Sequence, residues 1–198
     1  MFPKTLLITA ALLAPVLARA EVVFDSSLES GNGTDFTLVS ENTYSFRLEK
    51  DTNSTDSQWF LFAVRGAEGK TLTFRLLDTS STNVPSHWST AHPVASADGG
   101  QTWERIGGTS LSGDTFIFTH TFIAAEEIIA FHDPYTYTDL QGKLSEWEMS
   151  PYAEQTVLGQ SIQGRDIHLL RITGDGRPDD EKLGFWFVAR QHGAEVPG

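Results

Sequence analysis

Trp59-Phe60-Leu61-Phe62-Ala63-Val64 is a run without a single charged or strongly polar residue, and Thr71-Leu72-Thr73-Phe74-Arg75-Leu76 comes after it as a strict polar/apolar alternation. The alternating segment has the period of a strand with one wet face, and the continuous one fits a strand buried on both faces. Between them, Gly66-Ala67-Glu68-Gly69 has the length of a hairpin loop. The same reading extends outward to Glu21-Val22-Val23-Phe24-Asp25, Tyr44-Ser45-Phe46-Arg47-Leu48, the alternating stretch 116–122 and Ile128-Ile129-Ala130-Phe131. No helical period interrupts residues 21–132. Seven or so strands separated by turn residues predict an antiparallel β-sandwich of about 110 residues, with Phe60, Phe62, Phe74, Phe116 and Phe118 in one core.

The chain has 198 residues and a formal net charge of −12. That charge argues against nucleic acid or an anionic lipid surface as the main partner, since both would be repelled at long range. Residues 1–20 read as a secretory leader: Lys4, an apolar run from Thr5 to Leu17, then Ala18-Arg19-Ala20 at the expected cut. The run is too short for a membrane span and contains Pro15, so an integral membrane protein is not expected. The expectation is a secreted or periplasmic protein with its first strand at Glu21. With no cysteine in the chain, stability must come from the core.

After Asp133-Pro134 the period changes. Thr138 with Gln141 three residues on fits a capping box, and Leu140, Leu144 and Trp147 fall on one helical face. This short helix should end near Met149-Ser150-Pro151. Two strands come next, at 167–172 and, beyond a polar turn, at 183–189. The second is continuously apolar, as in a sheet covered on both faces by helices that this sequence does not supply. The predicted organisation is a leader (1–20), a β-sandwich (21–134), and the truncated start of an α/β domain (135–198).

Directly after the apolar strand comes His192-Gly193-Ala194-Glu195. In a helical turn, residues at i and i+3 share one side, about 5–6 Å apart at Cβ, so an imidazole and a carboxylate there could hold one metal. Alone the pattern is common. Its surroundings are not: Gly159-Gln160-Ser161-Ile162-Gln163-Gly164-Arg165, a strand, an acidic turn, an apolar strand and His-x-x-Glu stand in order. This succession resembles the zinc carboxypeptidase family, and Pro134-Tyr135-Thr136-Tyr137-Thr138 is similar to a segment of its cytosolic-carboxypeptidase-like branch, whose members also carry a β-sandwich before the catalytic domain. The resemblance covers about residues 55–198 and is strongest from Tyr135.

The resemblance implies a zinc-dependent metallocarboxypeptidase that hydrolyses the C-terminal peptide bond of a polypeptide. His192 and Glu195 take the places of the first two zinc ligands. Ser161 and Arg165 match motif positions for which a turn and sheet-edge role is the better reading. Gly193-Ala194 suits the cytosolic-like branch but removes a substrate-positioning arginine found in pancreatic-type members. A catalytic zinc needs three protein ligands and one open position. The family's third ligand and general base lie further downstream, so the 198 residues alone are expected to be inactive. Which C-terminal residue is removed, and the oligomeric state, stay open.

A second reading is a non-catalytic carbohydrate- or protein-binding sandwich using Trp59, Trp88 or Trp103 as stacking platforms. Ser96-Ala97-Asp98-Gly99-Gly100-Gln101-Thr102-Trp103 matches an Asp-box, but β-propellers need several copies and this chain has one. The plainer expectation is a hairpin whose Asp-Gly-Gly turn takes positive φ, with Trp103 packed beneath. His87, His92, His120, His132 and His168 read as ordinary loop or strand histidines.

Overall fold

The computed structural model describes residues 21–55, 57–174, 176–189 and 195. The leader expected at 1–20 and the proposed ligand His192 lie outside the described residues. Ten strands come first: β1 (Val23–Asp25), β2 (Thr34–Ser40), β3 (Thr43–Arg47), β4 (Leu61–Arg65), β5 (Thr71–Leu77), β6 (Val94–Ser96), β7 (Glu104–Arg105), β8 (Ser110–Ser112), β9 (Thr115–Thr121) and β10 (Glu126–Ala130). Helix α1 (Tyr137–Trp147) and strands β11 (Ala153–Gln160) and β12 (Asp166–Ile172) complete the regular structure, apart from three short 3-10 turns. No helix among the described residues is long and apolar enough to cross a membrane.

The ten strands form two five-stranded sheets, ordered β1-β4-β10-β6-β7 and β2-β3-β5-β9-β8. Their facing sides close over one aromatic core. Phe62 and Val64 of β4, preceded by Phe60, meet Phe46, Leu72, Phe74, Leu76, Phe116 and Phe118 from the other sheet. The alternation explains the second sheet: Leu72, Phe74 and Leu76 are buried while the residues between them are not. Phe74 and Phe118 stack at 4.9 Å between ring centroids, and Phe46 meets Phe62 edge-on at 5.3 Å. All five phenylalanines expected in the core are there.

The continuous run is buried on both faces, as its composition predicts. Leu61 turns away from the main core into a second cluster with Val94 and Ala130, flanked by Leu28, Trp59, Trp103 and Ile128. That double burial corrects the expected β4–β5 hairpin. A strand apolar on both faces belongs inside a sheet, and β4 sits between β1 and β10, so β5 pairs elsewhere and residues 66–69 carry the chain from one sheet to the other. The expectation of purely antiparallel pairing is also corrected, because β3 runs parallel to β5.

Two further departures fall after residue 134. The N-cap of α1 is Thr136, not Thr138. Its hydroxyl accepts from Asp139 N at 3.1 Å, and the Asp139 carboxylate accepts from Thr136 N at 2.7 Å, a reciprocal box that satisfies two otherwise orphaned N–H groups. Aspartate reaches back as well as the glutamine of the expected box and adds charge at the positive helix end. The segment 183–189, expected as a central strand, forms none, and its side chains stand in solvent, Phe187 at 90%. An apolar strand is held by neighbours on its edges and layers on its faces. Among the described residues β12 pairs only with β11, and 183–189 is exposed throughout.

Candidate functional site

The motif that resembles the start of a peptidase domain is a hairpin turn. Ser161 N donates to Arg165 O at 2.8 Å, Gly164 N to Ser161 O at 2.9 Å, and Arg165 N to the Ser161 hydroxyl at 3.2 Å. Gly164 sits at φ 74°, where a side chain would be strained. Ser161 and Arg165 therefore have the turn role expected of them. Arg165 also lays its guanidinium over the Tyr137 ring, 5.5 Å from the centroid.

Tyr137 belongs to a cluster that ties α1 to the hairpin. Its hydroxyl accepts from Asp166 N at 3.2 Å. One turn along the helix, Gln141 meets His168 Nε2 at 2.8 Å, and Gln155 of β11 meets His168 Nδ1 at 2.8 Å. Both glutamines face the ring with their amide nitrogens, Nε2 in each case. The ring is thereby fixed between two neutral amides. His168 serves as a structural pin, in keeping with the ordinary strand histidine expected. Tyr137 and Gln141 at i and i+4 on one helix face are the sequence signal for it.

Beside the hairpin turn lies a cleft of about 680 Å3, walled by the β1–β2 loop, the β3–β4 loop and the hairpin tip. Glu29, Glu49 and Asp51 line it together with Lys50, Gln163 and Arg165. Two of the carboxylates hold backbone N–H groups: Glu29 accepts from Thr138 N and Asp51 from Thr52 N.

The three tryptophans pack in or beside the sandwich core. Trp88 is fully buried and donates its indole N–H to Thr82 Oγ1 at 2.8 Å. Trp59 and Trp103 pack on the second cluster and spend their indole N–H groups on Ser30 O and Gly100 O. The Asp-box is the expected hairpin turn between β6 and β7, with Gly99 at φ 75° and Gly100 at φ 92°. Asp98 organises it, accepting from Thr102 Oγ1 at 2.6 Å, Thr102 N at 2.9 Å and Gln101 N at 3.0 Å. These bonds, the Thr102 hydroxyl first, hold its carboxyl at about 2, well below the usual 3.8.

One buried carboxylate has no sequence signal beyond its place in a strand. Glu127 is 1% exposed and accepts from His120 Nε2 at 2.7 Å and from the backbone N–H groups of Ile123 and Ala124. It closes the β9–β10 turn and has no access to solvent, so its role is architectural.

Of the two proposed metal ligands, Glu195 is described and solvent-exposed, while His192 lies outside the described residues. Among the described residues no three of His, Cys, Asp and Glu come together as a metal site.

Comparison with known proteins places these elements. Residues 24–132, the sandwich from β1 to β10, match the family described as the cytosolic carboxypeptidase N-terminal domain. The chain is 29% identical over 196 residues to cytosolic carboxypeptidase 6 of Caenorhabditis elegans, covering 90% of this chain and 42% of that one. It is 31% identical over 182 residues to human cytosolic carboxypeptidase 4, covering 76% and 16%. Among solved structures, a metallo-carboxypeptidase from Pseudomonas aeruginosa superposes with a TM-score of 0.71 at 26% identity, over 79% of this chain and 41% of that one. The chain thus spans about two-fifths, or less, of the length of these relatives. The relatives' names also correct the expected compartment. They are cytosolic carboxypeptidases and point to the cytosol, not to secretion or the periplasm. The export reading rests on the composition of residues 1–20 alone, and short apolar stretches of that kind are not unique to leaders.

Proposed function

This chain belongs to the cytosolic carboxypeptidase branch of the zinc carboxypeptidases, and on that premise we propose that it forms the N-terminal part of an enzyme that hydrolyses the last peptide bond of a polypeptide. Residues 21–134 are the sandwich domain, and residues 135–198 open the α/β metallopeptidase domain. The observation that carries the reading is the conjunction of a matched sandwich at 24–132 with the hairpin-turn motif at 159–165 and His192-x-x-Glu195 in order behind it.

The donor chemistry fits the metal. An imidazole nitrogen and a carboxylate oxygen are both zinc donors, and Glu195 is accessible at the surface, although two ligands make an incomplete catalytic set. His192 and Glu195 would hold zinc, which when bound would polarise the scissile carbonyl and activate a water. Residues 21–198 by themselves are proposed to release no amino acid, since a third ligand and a general base are needed.

The test is metal content and turnover in the full-length protein. His192→Ala and Glu195→Ala should each abolish release of C-terminal amino acids and lower bound zinc well below one per chain, with folding unchanged by circular dichroism. Full activity in His192→Ala would overturn the ligand assignment, and turnover by residues 21–198 alone would overturn the need for further residues.

A further inference from the structure

Among the described residues, both apolar clusters of the sandwich are built from residues between Val22 and Phe131 and include none of the helix or hairpin. Hydrogen bonds join the two sides. In the first turn of α1 the backbone N–H groups have no intrahelical acceptor, and the Glu29 carboxylate from the β1–β2 loop accepts from one of them, Thr138 N, at 3.1 Å. A negative group is favoured there by the helix dipole as well as by the hydrogen bond. At the other end of the joint, Gln163 Nε2 in the hairpin turn donates to Thr52 Oγ1 of the β3–β4 loop at 3.1 Å. Glu29, Thr52 and Gln163 all stand on the walls of the same cleft.

We propose that the β1–β2 and β3–β4 loops form a two-point polar latch, Glu29 on the first turn of α1 and Thr52 on the hairpin tip, that sets the orientation of the helix and hairpin on the sandwich. The latch rests on these contacts and is independent of the peptidase reading. It gives the sandwich a part in placing the elements downstream of it. Hydrogen bonds at an exposed joint open readily, because water replaces the lost partners at little cost. An apolar seam could not do so. The latch therefore allows two orientations with one fold on either side.

The chain has no cysteine, so spin labels can be placed at will. Glu68→Cys, in the loop after β4, and Thr156→Cys, on β11, are both exposed and lie on opposite sides of the joint. Pulsed electron–electron resonance on the labelled full chain is expected to give one narrow distance distribution. Adding Glu29→Ala and Thr52→Val together should broaden it about twofold, as a second orientation becomes populated, with unchanged circular dichroism. Amide exchange at Thr138 should accelerate about three- to fivefold in Glu29→Ala alone, as expected for losing one carboxylate at a helix N-terminus. A distribution that stays narrow in the double variant would overturn the proposal, as would one already broad before the substitutions. Unchanged exchange at Thr138 would remove Glu29 from it.

Discussion

Replacing Glu127 with alanine tests how much of the sandwich depends on one buried charge. Among the described residues it is the only fully buried carboxylate, and it answers three donors at the β9–β10 turn: His120 Nε2, Ile123 N and Ala124 N. Truncation leaves two backbone N–H groups without an acceptor, each worth about 1–3 kcal/mol when not rehydrated. His120 has 19% of its side chain exposed and can turn toward water, so it adds little. Water entering the space left by the side chain recovers part of the rest, and about 3 kcal/mol is the expected net loss. Against a domain stability of ~5–15 kcal/mol that is large. It corresponds to a fall in Tm of roughly 6–12 °C on the scale of a 150–250-residue chain, more if the sandwich unfolds alone. Glu127→Gln keeps an acceptor for both N–H groups and should lose only about 1 kcal/mol. Equilibrium urea unfolding of the full chain, followed by tryptophan fluorescence, measures both variants. If Glu127→Ala unfolds within about 0.5 kcal/mol of the parent, the range of an ordinary surface substitution, the turn is not held by its carboxylate. If Gln and Ala lose equally, the two backbone bonds are not the source.

Thr136→Ala should cost about 1 kcal/mol of helix stability and speed amide exchange at Asp139, whereas Thr138→Ala, which leaves the cap and its own N–H in place, should do neither; equal effects would contradict the cap assignment. Asp98 should titrate by carbon-13 NMR with a midpoint near 2. Because its folded value is depressed below 3.8, its contribution is complete above that pH and is lost as pH falls from 3.8 through about 2. Asp98→Asn should remove this acid-sensitive component, and a midpoint near 3.8 would show that the Thr102 and Gln101 bonds do not persist in solution.

How much of this molecule is legible in its residues depends on the range over which each signal acts. Strands with one wet face declare themselves locally: the alternation over 71–76 is caused by the same burial that the folded β5 shows, so position and facing are both legible. The partner of a strand is a different kind of information. The length of 66–69 would permit a hairpin, but β4 is apolar on both faces, and satisfying both requires a central place that excludes β5 as its neighbour. The same signal that identifies β4 as doubly buried thus contradicts the hairpin, and burial outweighs loop length by several kcal/mol when an apolar face would otherwise meet water. The cap of α1 lies two residues before its expected place because Thr136 and Thr138 both qualify by type; only the reach of Asp139 back to Thr136 N decides between them.

The peptidase end of the chain separates two sorts of legibility further. His192 and Glu195 stand out by type and order as proposed ligands, because an imidazole and a carboxylate are zinc donors whatever the rest of the fold does. The segment 183–189 reads as a strand by composition, and composition specifies a strand only where a sheet waits to receive it. In the described residues β12 offers an unpaired edge, and the apolar side chains of 183–189 remain in solvent. Burying even half of that segment in a third strand would gain several kcal/mol by transfer alone, yet a strand pinned at one edge, with both its faces bare, recovers little of the backbone entropy it must lose. The balance turns only when the faces are covered. Strand order at 183–189 therefore requires neighbours on its edges and layers on its faces, whereas the proposed metal ligands His192 and Glu195 are legible from donor type and order alone.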